Sequence, residues 1–533
     1  MRKISIITLL VMAAACGHKH EAVQPPMMGW ASWNAFMIDI SDTLIMQQAD
    51  LLKSTGLADA GYTYVNIDDG HFGFRDAEGY MTPNDIRFPG GLRQVADHIH
   101  SLGLKAGIYS DAGDNTCGSS WNKDIYGMGA GLWGHEIQDA QTYFNDWDFD
   151  FIKIDFCGGK HLQLPEKERY LRIREVVDSV SDHPVKINIC RWHYPGTWAP
   201  EAGDSWRISG DIYPEWKSVV YVMNKNMYLS AYTGNGKYND MDMLVVGYGN
   251  KRSGLTRGTG LTFQEEEAHF GLWCFMSSPL MLGCDLAYLP EDTRQLVTNP
   301  ELIAINQDRL GIQPQVVQFD GVGYVLVKDL KIHRGKERAV ALYNPSDEEH
   351  HFECPLELLA FEGEVKLRDA IRRESLGKVD CISMDLPAHS ARILTIKGNA
   401  GIEQKRYEAE WGYIPAYNDI GKGGAKYVPT PGASCGAVVS GLGGSEENRL
   451  EIEVHRFEGG KWRSKLIYAS EEACALMVDV NGNTQTLELP ATDGFASVPL
   501  VLKLHQGCNK VCLSSPEKEI PALIDAIELF QSR

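Results

Sequence analysis

The chain has 533 residues, 44% of them apolar and 23% charged, which are ordinary proportions for a soluble globular protein of about three domains. Its formal charge of −20 argues against nucleic acid or an anionic membrane as a partner and suits a neutral, hydroxyl-rich substrate. Twelve dispersed cysteines, with no CxxC pair at zinc spacing, exclude a small disulfide scaffold and leave buried free thiols as the default.

At the N-terminus Arg2 and Lys3 precede the apolar run ISIITLLVMAAA, which is too short to span a bilayer as a mature helix. The run closes on Ala-Ala-Ala-Cys, placing Cys16 where a bacterial lipoprotein signal carries its lipid. An ordinary cleaved signal peptide is the alternative. Both imply export, to the periplasm or the outer-membrane surface, with membrane contact only through an anchor at Cys16. Residues 1–24 therefore read as signal and tether.

From residue 25 to about 312, apolar strand-like runs alternate with amphipathic stretches. The expected strands are 26–30, 62–67, 105–110, 150–154, 185–190, 205–209, 241–246 and 279–283. Between the first two, Ser41 is a plausible N-cap, with Leu44, Ile45, Leu51 and Leu52 on one face and Gly61 past the end. Eight strands with helical crossovers predict a (β/α)8 TIM barrel, with a doubly wound sheet as runner-up. Residues 313–397 switch to short alternating runs and predict an antiparallel β-sandwich. A linker at 398–404 leads to a second, self-contained sandwich over 405–533, where Asn481-Gly-Asn marks a tight turn.

Two expected strands end on a single aspartate: FIKIDFCGG on Asp155 and SWRISGDIY on Asp211. A carboxylate at the end of a buried strand is costly unless it is paired or works. Two of them meet the requirement of a retaining glycosidase for one nucleophile and one proton donor. Lys153, two residues before Asp155, shares its face and would hold it ionised. Asp211 needs a less polar site, or a nearby negative charge, to keep its proton. Arg207 offers a fork of donors to sugar hydroxyls. Asp68 and Asp69 are neighbours that cannot both point inward from a regular strand, so they belong to a loop able to clamp adjacent hydroxyls. Gly129-Ala-Gly-Leu-Trp-Gly satisfies GxGxxG, but no strand leads into it, which counts against a dinucleotide site.

The motifs PPMMGWASWNAF, YVNIDDG, GIYSDAG, TCG, FIKIDFC, SWRISGDI, YNDMDML and AINQDRLG, in this order, resemble the α-galactosidase and α-N-acetylgalactosaminidase clan of glycoside hydrolase family 27. The resemblance covers about residues 25–395. It implies that Asp155 is the nucleophile of a double displacement on terminal α-D-galactosides and Asp211 the acid/base, with no cofactor. It further implies that Trp33, Asp68, Asp69, Tyr109, Lys153, Arg207 and Asp242 line the sugar subsite and that Cys117 and Cys157 form a disulfide. Cys190 is expected to stay free, because the position of its usual partner holds Asp204.

The chain departs from the family where Cys190-Arg191-Trp192 replaces the usual Cys-Glu-Trp, which places Arg191 at the sugar's 2-position. A longer loop, 119–136, precedes the fourth strand. These departures keep open a β-L-arabinopyranosidase or an α-glucan-cleaving relative, and, in another class, a non-catalytic glycan-binding lipoprotein. The tail is similar to family 6 and 35 carbohydrate-binding modules, which makes Glu408 and Glu410 candidate ligands for a structural calcium. The expected partner is a galactose-containing glycan.

Overall fold

The computed structural model describes residues 23–248, 258–398, 401–421 and 423–530. The signal run, Cys16, most of the tether and residues 399 and 400 of the expected linker lie outside these ranges. Among the described residues no helix is long and apolar enough to cross a membrane.

Eight parallel strands form the barrel: β1 (Met28–Ala31), β2 (Tyr64–Asn66), β3 (Lys105–Asp111), β4 (Phe151–Asp155), β5 (Lys186–Ile189), β6 (Ser205–Arg207), β7 (Tyr238–Asp240) and β8 (Leu280–Leu282). They pair in the order β8-β1-β2-β3-β4-β5-β6-β7, the sequence order of a TIM barrel. A parallel bridge between Leu244 and Leu282 lies across the seam between β7 and β8. Val65, Ile108, Ile152, Ile154, Ile187, Ile189 and Trp206 are fully buried, as befits strands covered on both faces. Close strand packing explains Gly29, where a Cβ would sit 2.4 Å from the Tyr64 carbonyl oxygen.

One expected strand is displaced. Residues 241–246 join the sheet only through the bridge at Leu244, and the strand is Tyr238–Asp240, in register with Ser205–Arg207. Asp242 has a φ of 72°, which breaks extended backbone. The segment's polar groups are taken elsewhere: Met241 N donates to Ser278 Oγ (3.0 Å), Val245 N to His269 Nε2 (3.0 Å), and Trp273 Nε1 to the Asp242 carbonyl (3.0 Å). The helix after β1 also stops early. It runs Asp42–Ser54, capped by Ser41 Oγ accepting from Leu44 N (3.2 Å), and left-handed Gly56 separates it from the short helix Leu57–Ala60. Its buried face is Ile45, Gln48, Ala49 and Leu52, while Leu44 and Leu51 are only partly covered.

Beyond the barrel all strand ladders are antiparallel. A six-stranded sheet lies within Gln315–Lys397; His350–Pro355 and Cys381–Leu386 pair with each other in a separate two-stranded sheet, and the two sheets share an apolar cluster around Val340, Leu342, Phe352 and Leu394. A six-stranded and a four-stranded sheet then enclose a third cluster around Leu450, Leu466, Leu476 and Leu513. This last unit is less independent than its sequence suggests. Tyr232 of the barrel stacks on Tyr417 at a ring separation of 5.1 Å and meets Tyr413 at a tilt at 5.2 Å, and Tyr194 meets Tyr417 at 5.4 Å. Trp411 Nε1 donates to the Val316 carbonyl (2.7 Å), so the aromatic layer locks the tail onto both preceding units.

Candidate active site

The carboxyl ends of β1 to β7 surround a cleft of about 740 Å³. At its floor is Asp155, the last residue of β4 and buried. The strand end is held from two directions. Ala112 N donates to the Asp155 carbonyl (2.8 Å), and Tyr170 Oη donates to the Ile154 carbonyl (3.1 Å). Asp111, opposite Asp155 on β3, accepts from Gly113 N (2.7 Å), Cys157 N (2.6 Å) and Gly158 N (3.1 Å), capping the turn that leaves β4. A Cβ on Gly113 would lie 2.0 Å from the Gly158 carbonyl carbon, so only glycine lets the loops after β3 and β4 pack this closely. Cys117 and Cys157 form a disulfide across those two loops, with Cα atoms 5.3 Å apart. Cys190 is a free, buried thiol.

Asp155 Oδ1 is buried and has no hydrogen-bond partner. Burial pushes the carboxyl up to about 6; the Lys153 ammonium pulls it down, and Asp211 and Asp68 push it up further. It therefore remains mostly ionised at neutral pH. Lys153 acts through its field, because its direct bond goes to Asp68 Oδ2 (2.8 Å). Burial works against the ammonium, but Asp68, Cys190 and Asp155 outweigh it and hold Lys153 well above its ordinary value.

Asp211 lies past β6 on the cleft wall, and its side chain is half exposed. Of the two conditions the sequence offered for a proton donor, the less polar site is absent, while the nearby carboxylates of Asp155 and Asp242 are present. Arg207 Nη2 bridges Asp211 Oδ1 (3.1 Å) and Asp242 Oδ2 (2.9 Å). Asp242 also accepts from Ile212 N (2.9 Å), fixing the chain beside Asp211. Burial raises the Asp242 carboxyl to about 6 against the pull of Arg207, and Asp211 and Asp240 add to the rise.

The cleft gathers Trp33, Asp68, Tyr109, Lys153, Arg207 and Asp242 with the two aspartates. Two expected residues are not in its lining. Asp69 turns away from Asp68 and accepts from Gly118 N (2.6 Å) and Gly70 N (2.8 Å), so it anchors the loop after β3. Burial, opposed by those donors, leaves its carboxyl near 7. Arg191 also points elsewhere. Its Nε reaches Glu166 Oε2 (2.8 Å), and its guanidinium lies over the rings of Phe156 (4.7 Å) and Trp192 (5.4 Å). The substitution at this position is thus met inside the protein, by a carboxylate and two aromatic faces, and the sugar-reading role assigned to Arg191 is corrected. Trp192 and Tyr213 line the cleft and were not singled out in the sequence; an aromatic immediately after a strand-end motif is the signal that identifies Trp192.

A family model described as alpha galactosidase A matches residues 25–308, more than half of the chain. The chain belongs to that family. Alpha-galactosidase A of Cellvibrio japonicus is 38% identical over 340 residues, spanning 61% of this chain and 78% of that protein. Alpha-galactosidase of Cyamopsis tetragonoloba is 39% identical over 330 residues, spanning 61% and 73%. The crystal structure of alpha-galactosidase I from Mortierella vinacea is similar with a TM-score of 0.64 and 29% identity, covering 72% of this chain and 100% of that one.

The family match ends before the tail, which carries its own acidic cluster. Glu408 accepts from Arg406 Nε (2.7 Å) and Ser434 Oγ (2.6 Å). Glu410 is buried with neither carboxylate oxygen hydrogen-bonded, and burial together with the Glu408 charge raises it well above the usual range. Ligand atoms of Glu408, Glu410 and Cys435 lie within 4.8 Å of one another. The two unpartnered oxygens of Glu410 fit a hard, oxygen-seeking cation, whereas Glu408 is already engaged by Arg406 and Ser434 and Cys435 offers a soft sulfur.

Proposed function

We propose that the protein is an exported, retaining exo-α-galactosidase acting on terminal α-D-galactosides of oligo- or polysaccharides. The observation that carries this reading is the largely buried Asp155 carboxylate, which lines the same cleft as the half-exposed Asp211. In the first step the Asp155 carboxylate attacks the anomeric carbon, while Asp211 gives its proton to the departing glycosidic oxygen. The product is a β-galactosyl ester of Asp155. In the second step Asp211 takes a proton from water, which attacks the same carbon and releases galactose with its original α configuration.

The proton donor's enclosure, absent from the free protein, is supplied by a sugar filling the cleft. Asp68 accepts from and Lys153 donates to hydroxyls, as a coupled pair whose geometry their own 2.8 Å contact already sets. Arg207 ties the acid/base to Asp242. Arg191, which kept other glycones open, is outside the cleft. The family's chemistry uses no cofactor, and Glu408 and Glu410 are proposed to hold a structural calcium in a tail resembling carbohydrate-binding modules. Export as a lipoprotein rests on the run ending at Cys16; incorporation of labelled fatty acid that is lost in Cys16→Ser tests it.

Proton NMR of a galactoside digest decides the mechanism. Retention gives α-galactose first, followed by slow mutarotation. β-Galactose as the first product would refute the double displacement, and no turnover would favour a glycan-binding protein.

A further inference from the structure

The loop between Cys117 and Glu136 places a large indole at the mouth of the cleft. Trp121 is 76% exposed and lines the cleft together with Asn122. An exposed tryptophan leaves a broad apolar face in water, an unfavourable arrangement for a residue with no ligand to cover it. Trp121 is also held in place. It ends the helix Cys117–Trp121, whose N-cap Thr116 accepts from Ser119 N (3.4 Å) and whose first residue is disulfide-bonded to Cys157, two residues beyond Asp155. Gly118 N is bonded to buried Asp69 (2.6 Å), and Asp124, just past the helix, is paired with Arg87 (2.6 Å). Asn122 adds a second feature, because its side-chain oxygen is buried and has no hydrogen-bond partner. Trp121 follows β3 and Trp192 follows β5, so indoles rise on both sides of the strand that carries Asp155. The cleft volume lies in the range, roughly 300–1,000 Å³, that encloses drug-sized ligands, and exceeds what a single pyranose needs.

We propose that Trp121 and Asn122 form a leaving-group subsite for a second sugar ring, which selects α-galactosides whose aglycone is itself a pyranose. The apolar C–H face of that ring stacks on the Trp121 indole, and the polar edge of the ring lies against Asn122. This rests on the glycosidase reading above. Ile125 and Met128, further along the same loop, are exposed as well but do not line the cleft, so the subsite is confined to the helix end. Asp69 gains a purpose here, since its bond to Gly118 N fixes the helix that presents Trp121.

The test compares an α-galactosyl disaccharide with α-galactosyl fluoride, whose leaving group has no ring. Trp121→Ala should lower kcat/KM on the disaccharide about tenfold, chiefly through KM, and change the fluoride less than about twofold; Trp121→Tyr, which keeps a ring, should recover most of the loss. Asn122→Ala should follow the same pattern with a smaller effect. Equal losses on both substrates would show that Trp121 supports the galactose site instead. Unchanged rates on both would overturn the subsite, and so would an altered sedimentation coefficient for Trp121→Ala, which would assign the indole to contact between copies. A wild-type enzyme inert toward the fluoride would refute the glycosidase reading and the subsite with it.

Discussion

Asp155→Asn should abolish turnover and stabilise the fold. The carboxyl moves from its ordinary 3.8 to about 6 because burial disfavours its charge more than Lys153 supports it. At 1.36 kcal/mol per pH unit, holding it ionised at pH 7 costs the native state about 3 kcal/mol. The sign follows from proton binding. Between pH 3.8 and about 6 the native protein binds more protons at this site than the unfolded chain does, so stability falls as pH rises through that window. Above it the penalty is complete, and below it the penalty vanishes. Asparagine removes the charge at nearly constant shape, and Oδ1 loses no hydrogen bond because it has none. The gain should therefore be about 3 kcal/mol at pH 7 and roughly half that at pH 5, a rise on the order of 5 °C in melting temperature at pH 7 for a large barrel. Differential scanning calorimetry of both proteins at the two pH values measures it. A variant no more stable than wild type, or a gain independent of pH, would refute the claim that the nucleophile is held charged against the preference of its surroundings.

The same carboxyl sets the acid limb of kcat/KM, which should fall as pH drops through about 6; Lys153→Met removes the opposing cation and should move that limb to higher pH, by roughly one unit or more, read from a pH–rate profile. Arg191→Leu should leave the ranking of galactoside substrates unchanged, because the guanidinium is turned to Glu166, while lowering stability by roughly 1–3 kcal/mol as that carboxylate loses its partner. Calcium should raise the melting temperature of the tail and chelation should lower it, with Glu410→Gln abolishing the difference; a thermal profile indifferent to both would remove the cation from the Glu408 and Glu410 cluster.

The barrel was legible because its strands are short, continuous apolar runs ending on polar residues, a pattern that strand burial on both faces imposes. The displaced seventh strand was not. Met241–Val246 is as apolar as a strand, but the Met241 and Val245 amides are claimed by Ser278 and His269, which lie far along the chain and whose contacts no local pattern reveals. That Asp155 and Asp211 share one cleft could be read from two strand ends. The roles of Asp69 and Arg191 could not, because each depends on a buried partner, Gly118 and Glu166, brought close only by folding. Trp121 lies in the part of the chain that departs from the family, so its resemblance gives no guidance there; only its exposure beside the cleft marks it. The tyrosine layer joining Tyr194 and Tyr232 to the tail was invisible for a similar reason, since isolated tyrosines in loops have no periodicity.

The most direct measurement of the central claim is to trap the covalent intermediate with a slowly hydrolysed fluorinated α-galactosyl donor and map the labelled peptide by mass spectrometry. The account predicts one galactosyl adduct per chain, on the peptide holding residues 151–159 and carried by Asp155, with none formed by Asp155→Asn. A label on Asp211 or on any other residue, or inactivation without a covalent adduct, would contradict it.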